Sequence, residues 1–500
     1  MTHTCDVAIV GGGIGGLTLA TSLAQQSMSV QVFEQDSQLR EIGAGIAIGG
    51  NATRLLHRLG VDLSPVANVP PALEFRRWKD GRLLWSHPIG EWYRHEVGAA
   101  FLMLHRATLQ RFLAAAVPPD CIRLSRRLAG LSDESAGVRL HFSEGEDVVA
   151  RVVAGVDGVN STVRHYVCGD VKPAHSGEIG FRGVIPVGKS RDLPDPTALH
   201  IWCGPGTHVV CYGLDRGELV NLLAVYKPHR LPAWTRSSNR LPATSDQALA
   251  IFTEYRWDPR ILDLIRNIEG DMSFWALVDL PRLPRWSRGR VVLLGDAAHA
   301  PLPHQGQGAG LAIEDAYALG ALLGRGGPDD YGSAFEAFEH LRKRRAALVQ
   351  AYSRASGRAV KLAGDAAARR DASWPSLPQR IGWIHRYREE EMLSSPSRFN
   401  ASAPAGRAVL RCADGRCSSG APAGGQQVVA AARRRAGRRG GTGGHLPFCL
   451  KGDVFHHMRG SPAVLSGSRC GQGGATCDSI GVDPSSVVSG EGDDDDGAGS

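Results

Sequence analysis

No uninterrupted apolar run in this chain approaches the roughly 20 residues needed to span a bilayer, so no transmembrane helix is expected. The opening residues, Met1-Thr2-His3-Thr4-Cys5-Asp6, lack the basic stretch and apolar core of a secretory signal, and the protein is expected in the cytoplasm. Basic residues are not massed on one motif: 57 Lys and Arg against 50 Asp and Glu leave a formal charge of only +7. That charge is too small and too scattered to demand nucleic acid. The runs Arg342-Lys343-Arg344-Arg345 and Arg433-Arg434-Arg435 read as solvated surface or disorder. Cysteine forms no framework. The five before residue 212 are irregularly spaced, as reduced thiols would be. Cys412, Cys417, His456, His457, Cys470 and Cys477 match no closed zinc pattern, so no metal is expected. No internal repeat is present.

Glycine, by contrast, is abundant, with 62 residues, and its placement carries information. Asp6 to Val10 is a short apolar run that predicts a buried parallel strand. A glycine cluster follows, then a helical pattern from Leu17 to Gln26 and a second strand from Val30 to Phe33. Asn51–Leu59 and Leu109–Ala116 read as helices. From Gly177 to Tyr226 the pattern changes to short runs of Val, Ile, Leu and Tyr punctuated by Gly and Pro, which predicts an antiparallel sheet. A buried strand returns at Val291–Leu294, followed by helices over Gly310–Leu323 and Ala334–Ala355. From 396 to 500 the chain is rich in Gly, Ala, Ser and Arg without periodicity and is expected to be disordered.

Three segments carry chemistry. In Gly11-Gly12-Gly13-Ile14-Gly15-Gly16, Gly11 permits a tight turn and Gly13 lets a pyrophosphate approach the backbone. Gly16 lets the helix lie close on the strand, and the phosphates meet the free N–H groups of the helix start. Glu34, closing the second strand, is placed to accept hydrogen bonds from ribose hydroxyls. The second segment is Val156-Asp157-Gly158-Val159-Asn160-Ser161-Thr162-Val163-Arg164; without a ligand it is an Asp-Gly turn with Ser161 capping a helix. The third runs Gly295-Asp296-Ala297-Ala298-His299 and on through Gln305-Gly306-Gln307-Gly308-Ala309-Gly310 into a helix bearing Glu314 and Asp315. Asp296 can bind ribityl hydroxyls. Small residues at the helix start let a flat ring lie against it, with N–H groups facing the negative charge of a reduced flavin.

These three segments, in this order, resemble the FAD-dependent aromatic hydroxylases of the para-hydroxybenzoate and salicylate hydroxylase type and related natural-product monooxygenases. Arg40-Glu41-Ile42-Gly43-Ala44-Gly45-Ile46 and His105-Arg106 fit the same pattern, and the resemblance covers about residues 4 to 365. It implies an α/β fold: a Rossmann-like FAD-binding domain (1–75, 100–176 and 276–360), an inserted antiparallel-sheet substrate domain (76–99 and 177–275), and a helical C-terminal segment (361–395). It implies that Gly11, Gly13, Gly16, Glu34, Ala47, Arg106, Asp157, Asp296, Gly308 and Ala309 bind the cofactor. Arg182 and Tyr212 are expected to be catalytic, holding a phenolate, since a deprotonated phenol is the better nucleophile toward a flavin C4a-hydroperoxide. His304 is either an acid or base near the ring or a hydrogen-bonded loop histidine. FAD is the expected cofactor, and NAD(P)H, with no second G-x-G-x-x-G unit after residue 150 to hold it, a transient co-substrate. The expected partners are a small aromatic substrate and O2, with a homodimer left open. The expected activity is monooxygenation of a phenol or aromatic acid. A flavin dehydrogenase or oxidase without oxygen insertion, or an impaired FAD-binding protein, remains the alternative. The W-x-W-x-I-P pattern of flavin halogenases is absent.

Overall fold

The computed structural model describes residues 3–39, 45–135, 137–233, 239–326 and 329–394. The segment 396–500, with its arginine run and its cysteines and histidines, lies outside these residues, as do 40–44 of the Gly45 segment.

Strand His3–Val10 is at the centre of the first sheet because both its faces are apolar: Val7, Ala8 and Ile9 are fully buried. It pairs in parallel with Val148–Gly155 on one side and Val30–Phe33 on the other. Val291–Leu293 and Ile122–Arg123 extend the sheet outward in parallel. A hairpin, Leu128–Glu134 and Gly137–Phe142, adds an antiparallel wing through Val148–Gly155. Helix Ile14–Ala24 crosses from the first strand to the second and packs on the long helix Gly308–Gly326. The two axes come close because Gly320 has no side chain: a Cβ there would sit 2.1 Å from Ser22 Oγ.

The second sheet has eight strands, in the order Arg240–Ala243, Glu269–Asp279, Ala174–Pro186, Leu219–Tyr226, Thr207–Leu214, Leu199–Gly204, Ala72–Arg77, Leu83–Pro88. All neighbours are antiparallel except Leu199–Gly204 with Ala72–Arg77. The side chains alternate with period two. Ile179, Phe181, Val209, Cys211, Val220 and Leu222 face a core shared with helices Ser245–Glu254 and Pro259–Arg266. Arg182, His208, Val210, Tyr212, Asn221 and Leu223 face the other way. This sheet takes in Ala72–Arg77, so it begins four residues before the expected boundary at 76.

A small ladder joins Gly45–Ile48 to Leu102–His105. Helices Tyr331–Ala359, Gly364–Ala372, Leu377–His385 and Glu389–Ser394 complete the described chain. The cysteines at 5, 121, 168, 203 and 211 are free thiols. Among the described residues no helix is long and apolar enough to cross a membrane.

Candidate active site

The carboxyl ends of three parallel strands, at Val10, Gly155 and Leu293, meet the front of the second sheet around a cavity of about 1300 Å3. Ligands bind at such strand ends in open α/β sheets, and the volume exceeds the range of about 300–1,000 Å3 usual for a single small ligand.

At the first turn, Gly11 has φ +110°, and its N–H donates to the Phe33 carbonyl at 2.8 Å. A Cβ on Gly16 would lie 1.9 Å from the Gly11 carbonyl oxygen, so strand and helix touch backbone to backbone there. Gly13 differs. A Cβ on it would meet nothing within 4 Å, because it borders the cavity. Packing does not call for glycine at that position; the approach of a ligand does. The helix behind it has neither a side-chain cap nor an acidic residue in its first turn, so its leading N–H groups are free for an anion. Glu34 accepts from the Gly12 N–H at 2.7 Å and the Asp36 N–H at 3.1 Å. Each carboxylate oxygen keeps a lone pair for a hydroxyl.

Asp157 departs from expectation. Its carboxylate accepts from Ser161 Oγ at 2.5 Å and the Val163 N–H at 3.0 Å, while Ser161 caps helix Thr162–Cys168 through the Arg164 N–H at 2.8 Å. Asp157 therefore closes its own turn, and its neighbours Val156 and Gly158 line the cavity in its place. Asp296 is the reverse case. It follows Gly295 (φ +55°), its side chain opens into the cavity, and it has no hydrogen-bond partner among the described residues. The protein encloses that part of the cavity, so loss of solvation raises the Asp296 pKa; Arg106 and His299 pull it the other way. Arg106 opens helix Arg106–Ala115 and also lines the cavity. Ala47 and the helix start at Gly308 and Ala309 complete this wall.

On the opposite wall lies Arg182. Burial depresses its pKa; Tyr212 opposes that shift, and Arg106 adds to it. Among the described residues no carboxylate pairs with it. Burial also raises the Tyr212 pKa, which keeps its hydroxyl neutral. A Cβ on Gly45 would lie 2.9 Å from that hydroxyl, and the Gly45 N–H donates to Asn221 Oδ1 at 2.7 Å. The glycine thus brings the small ladder against the second sheet. Leu199, Ile201, Val210 and Leu223 supply apolar surface beside Arg182.

Behind the Gly308 helix lies a cluster that the sequence reading missed. Arg342 donates to Asp315 at 2.7 Å, Glu314 at 2.7 Å and Glu389 at 2.6 Å. Arg345 donates to both oxygens of Glu314 and lies 3.6 Å over the Tyr387 ring. Asn51 donates to Glu314 at 2.7 Å, and His299 meets Asp315 at 2.5 Å. Arg342 and both helix carboxylates are fully buried. The expectation that Arg342-Lys343-Arg344-Arg345 is a solvated run is therefore corrected: positions 342 and 345 are one helical turn apart and turn inward together. The signal was available, since they lie on the stripe of Phe338, Leu341, Ala346 and Val349.

The residues present fit FAD: free N–H groups and an open glycine for a pyrophosphate, carboxylates at two hydroxyl-binding positions, and a helix start for a flat ring. Comparison with known proteins decides the matter. A family model described as "FAD binding domain" matches residues 4–211 and 263–353. The chain belongs to this family, the FAD-dependent aromatic hydroxylases. The hydroxylase is 36% identical over 391 residues to 3-amino-4-hydroxybenzoate 2-monooxygenase PtnB3 of Streptomyces platensis, covering 77% of this chain and 97% of that protein. It is 32% identical over 352 residues to 6-hydroxynicotinate 3-monooxygenase of Bordetella bronchiseptica, covering 69% and 90%. Among solved structures, a salicylate hydroxylase substrate complex matches with TM-score 0.67 at 28% identity, covering 80% of this chain and 99% of that one. The hydroxylase is an FAD-dependent monooxygenase of aromatic substrates.

Proposed function

We propose that this enzyme hydroxylates the ring of an aromatic acid that also bears a hydroxyl, amino or equivalent electron-releasing group, with NAD(P)H and O2 as co-substrates. The observation that carries the reading is Arg182, a guanidinium enclosed beside Tyr212 without a carboxylate partner among the described residues. A buried cation is costly unless paired, and an anionic aromatic is the counter-ion that fits the apolar surface around it. The three relatives named above act, by their names, on aminohydroxybenzoate, hydroxynicotinate and salicylate, which supports an acid of this kind.

When bound, FAD supplies hydride acceptance from NAD(P)H and activation of O2. Glu34 would hold the adenosine ribose, the N–H groups after Gly13 the pyrophosphate, Arg106 the phosphate or ribityl region, and Asp296 the ribityl hydroxyls. Gly308 and Ala309 would present backbone N–H groups to the ring. Asp157 contributes through its turn alone. Arg182 would stabilise the anionic oxygen of the substrate and the neutral Tyr212 hydroxyl would donate to it, while Val210, Leu223 and Ile201 exclude water.

The test is NAD(P)H consumption by the FAD-loaded enzyme over a panel of hydroxy- and aminobenzoates and hydroxypyridine carboxylates under 18O2. An aromatic-dependent rate with one labelled oxygen in the product is expected. Aromatic oxidation without label would overturn the proposal in favour of a dehydrogenase.

A further inference from the structure

The front of the second sheet is a floor that runs well past Arg182. Its register sets six side chains in one row across six strands. Arg182 pairs with Leu223, Leu223 with Val210, Val210 with Ile201, Ile201 with Phe75, and Phe75 with Trp85. All six line the cavity. Five strand-to-strand steps of about 4.8 Å carry this floor roughly 24 Å from the cation, measured along the sheet. A second row lies two residues along the strands: Leu199 pairs with Leu73, and Leu73 with His87. These three line the cavity as well.

The two rows are covered differently. Phe75 stacks on Trp374 of the C-terminal segment, with centroids 4.0 Å apart and planes 23° from parallel, and this closes the first row from above. The second row stays open: Leu199, Leu73 and His87 each keep part of their surface free. The far end is walled by rings. Trp85 and His87 lie parallel with centroids 5.4 Å apart, and His87 meets Trp92 edge-on at 4.3 Å. Burial lowers the His87 pKa, so its ring is neutral near pH 7. Trp92 is 36% exposed and marks the mouth. The cofactor positions, at Gly13, Asp296 and Ala309, belong to the strand ends on the other side of Arg182 and Tyr212 and do not account for this half of the cavity. A one-ring acid held at Arg182 does not reach it either. Strands Ala72–Arg77 and Leu83–Pro88 would then turn apolar and aromatic side chains toward empty space, and an apolar surface of that kind, continuous with a ligand site, marks a place for more ligand.

Resting on the aromatic-acid reading above, we infer that the far half of the cavity is a second subsite, and that the substrate is an aromatic acid extended by a second flat aromatic group. The anionic group and the reacting ring sit at Arg182 and Tyr212. The attached group runs over Leu199 and Leu73 and ends against the Trp85–His87 pair. Ring faces and edges on the wall favour a flat aromatic group over a flexible chain, which would also lose more freedom on binding.

The test compares phenyl- and benzyloxy-substituted hydroxybenzoates with their one-ring parents. Dissociation constants are read from the perturbation of the flavin absorbance of the FAD-loaded enzyme. In the unmodified enzyme the best extended acid should outbind its parent at least tenfold, the order expected for burying one more ring. Trp85→Ala should cut that preference about fivefold through loss of one aromatic contact. Leu73→Trp, which puts bulk into the passage, should cut it too. If one-ring acids bind and no extended acid outbinds its parent, the inference is overturned and the aromatic-acid reading stands. If no aromatic acid binds, one-ring or extended, both fall. A preference unchanged in both variants would also overturn the inference, and if Trp85→Ala instead raises KM for NAD(P)H, the aromatic end belongs to the nicotinamide co-substrate. Should Trp85→Ala fail to fold, the ratio in Leu73→Trp decides.

Discussion

Two groups of charge flank the helix Gly308–Gly326, and they are built differently. Along its side, Glu314, Asp315 and Glu389 face Arg342 and Arg345, and nearly every donor has an acceptor. At its start, Arg182, Arg106 and Asp296 border the cavity with no ion pair or hydrogen bond among the described residues. The first group is complete without a ligand and locks together helices from three parts of the chain. The second is incomplete, and what it lacks is the cofactor and the substrate. Burial and pairing go together here: Glu314, Asp315 and Arg342 are fully buried and paired, whereas Arg106 and Asp296 are exposed to the cavity, Arg182 is half-buried, and none of the three is paired among the described residues.

Substitutions can break this contrast. Arg342→Met leaves the buried Glu314 and Asp315 carboxylates and the Glu389 carboxyl around one remaining arginine and should cost about 3–5 kcal/mol of stability, visible as a large fall in melting temperature with loss of FAD. Arg182→Met should do the reverse. It removes an unpaired, half-buried cation, so the melting temperature should hold or rise and FAD should stay bound. The aromatic-dependent rate should fall about 100-fold, roughly 2.7 kcal/mol of transition-state stabilisation. An Arg182→Met protein that melts early instead would place Arg182 with the structural group.

Gly13→Ala sharpens the comparison at the phosphate turn. Its Cβ meets no protein atom, so folding should be unaffected while FAD affinity falls about tenfold, a difference of roughly 1.4 kcal/mol; equilibrium titration of the apoprotein measures it. Gly16→Ala, against the Gly11 carbonyl at 1.9 Å, should damage folding itself. The smallest effect is on pH dependence. Burial, with Glu314 nearby, pushes the Glu389 carboxyl up to about 8 despite Arg342. The folded chain keeps a proton that the unfolded chain releases near 4.5, so this contribution to stability is fully present below 4.5 and declines as pH rises toward about 8. Glu389→Gln should flatten that part of the melting-temperature profile.

The first strand–helix–strand unit was readable from sequence because its signals are local: an apolar run, glycines at fixed offsets and an acid at the next strand end. Arg182 and Tyr212 were readable as residue types, but only the sheet register brings them to one face. The Asp157 pattern, Asp-x3-Ser, serves a ligand or a helix cap equally well in sequence, and its hydrogen bonds show that the cap is made. Arg342 and Arg345 were misread because a run of four basic residues obscures the helical period. Their counter-charges are as distant in sequence as Glu314 and Glu389, and no local pattern links them.

Glu389 also bears on how the enzyme can be shortened for crystallography. A fragment ending at residue 388 would retain all three cofactor turns and both sheets, yet it would withdraw one of the three carboxylates from Arg342 and uncover the flank of the flavin-facing helix. Trimming should therefore start beyond Ser394, and a fragment cut a few residues earlier would be expected to purify colourless.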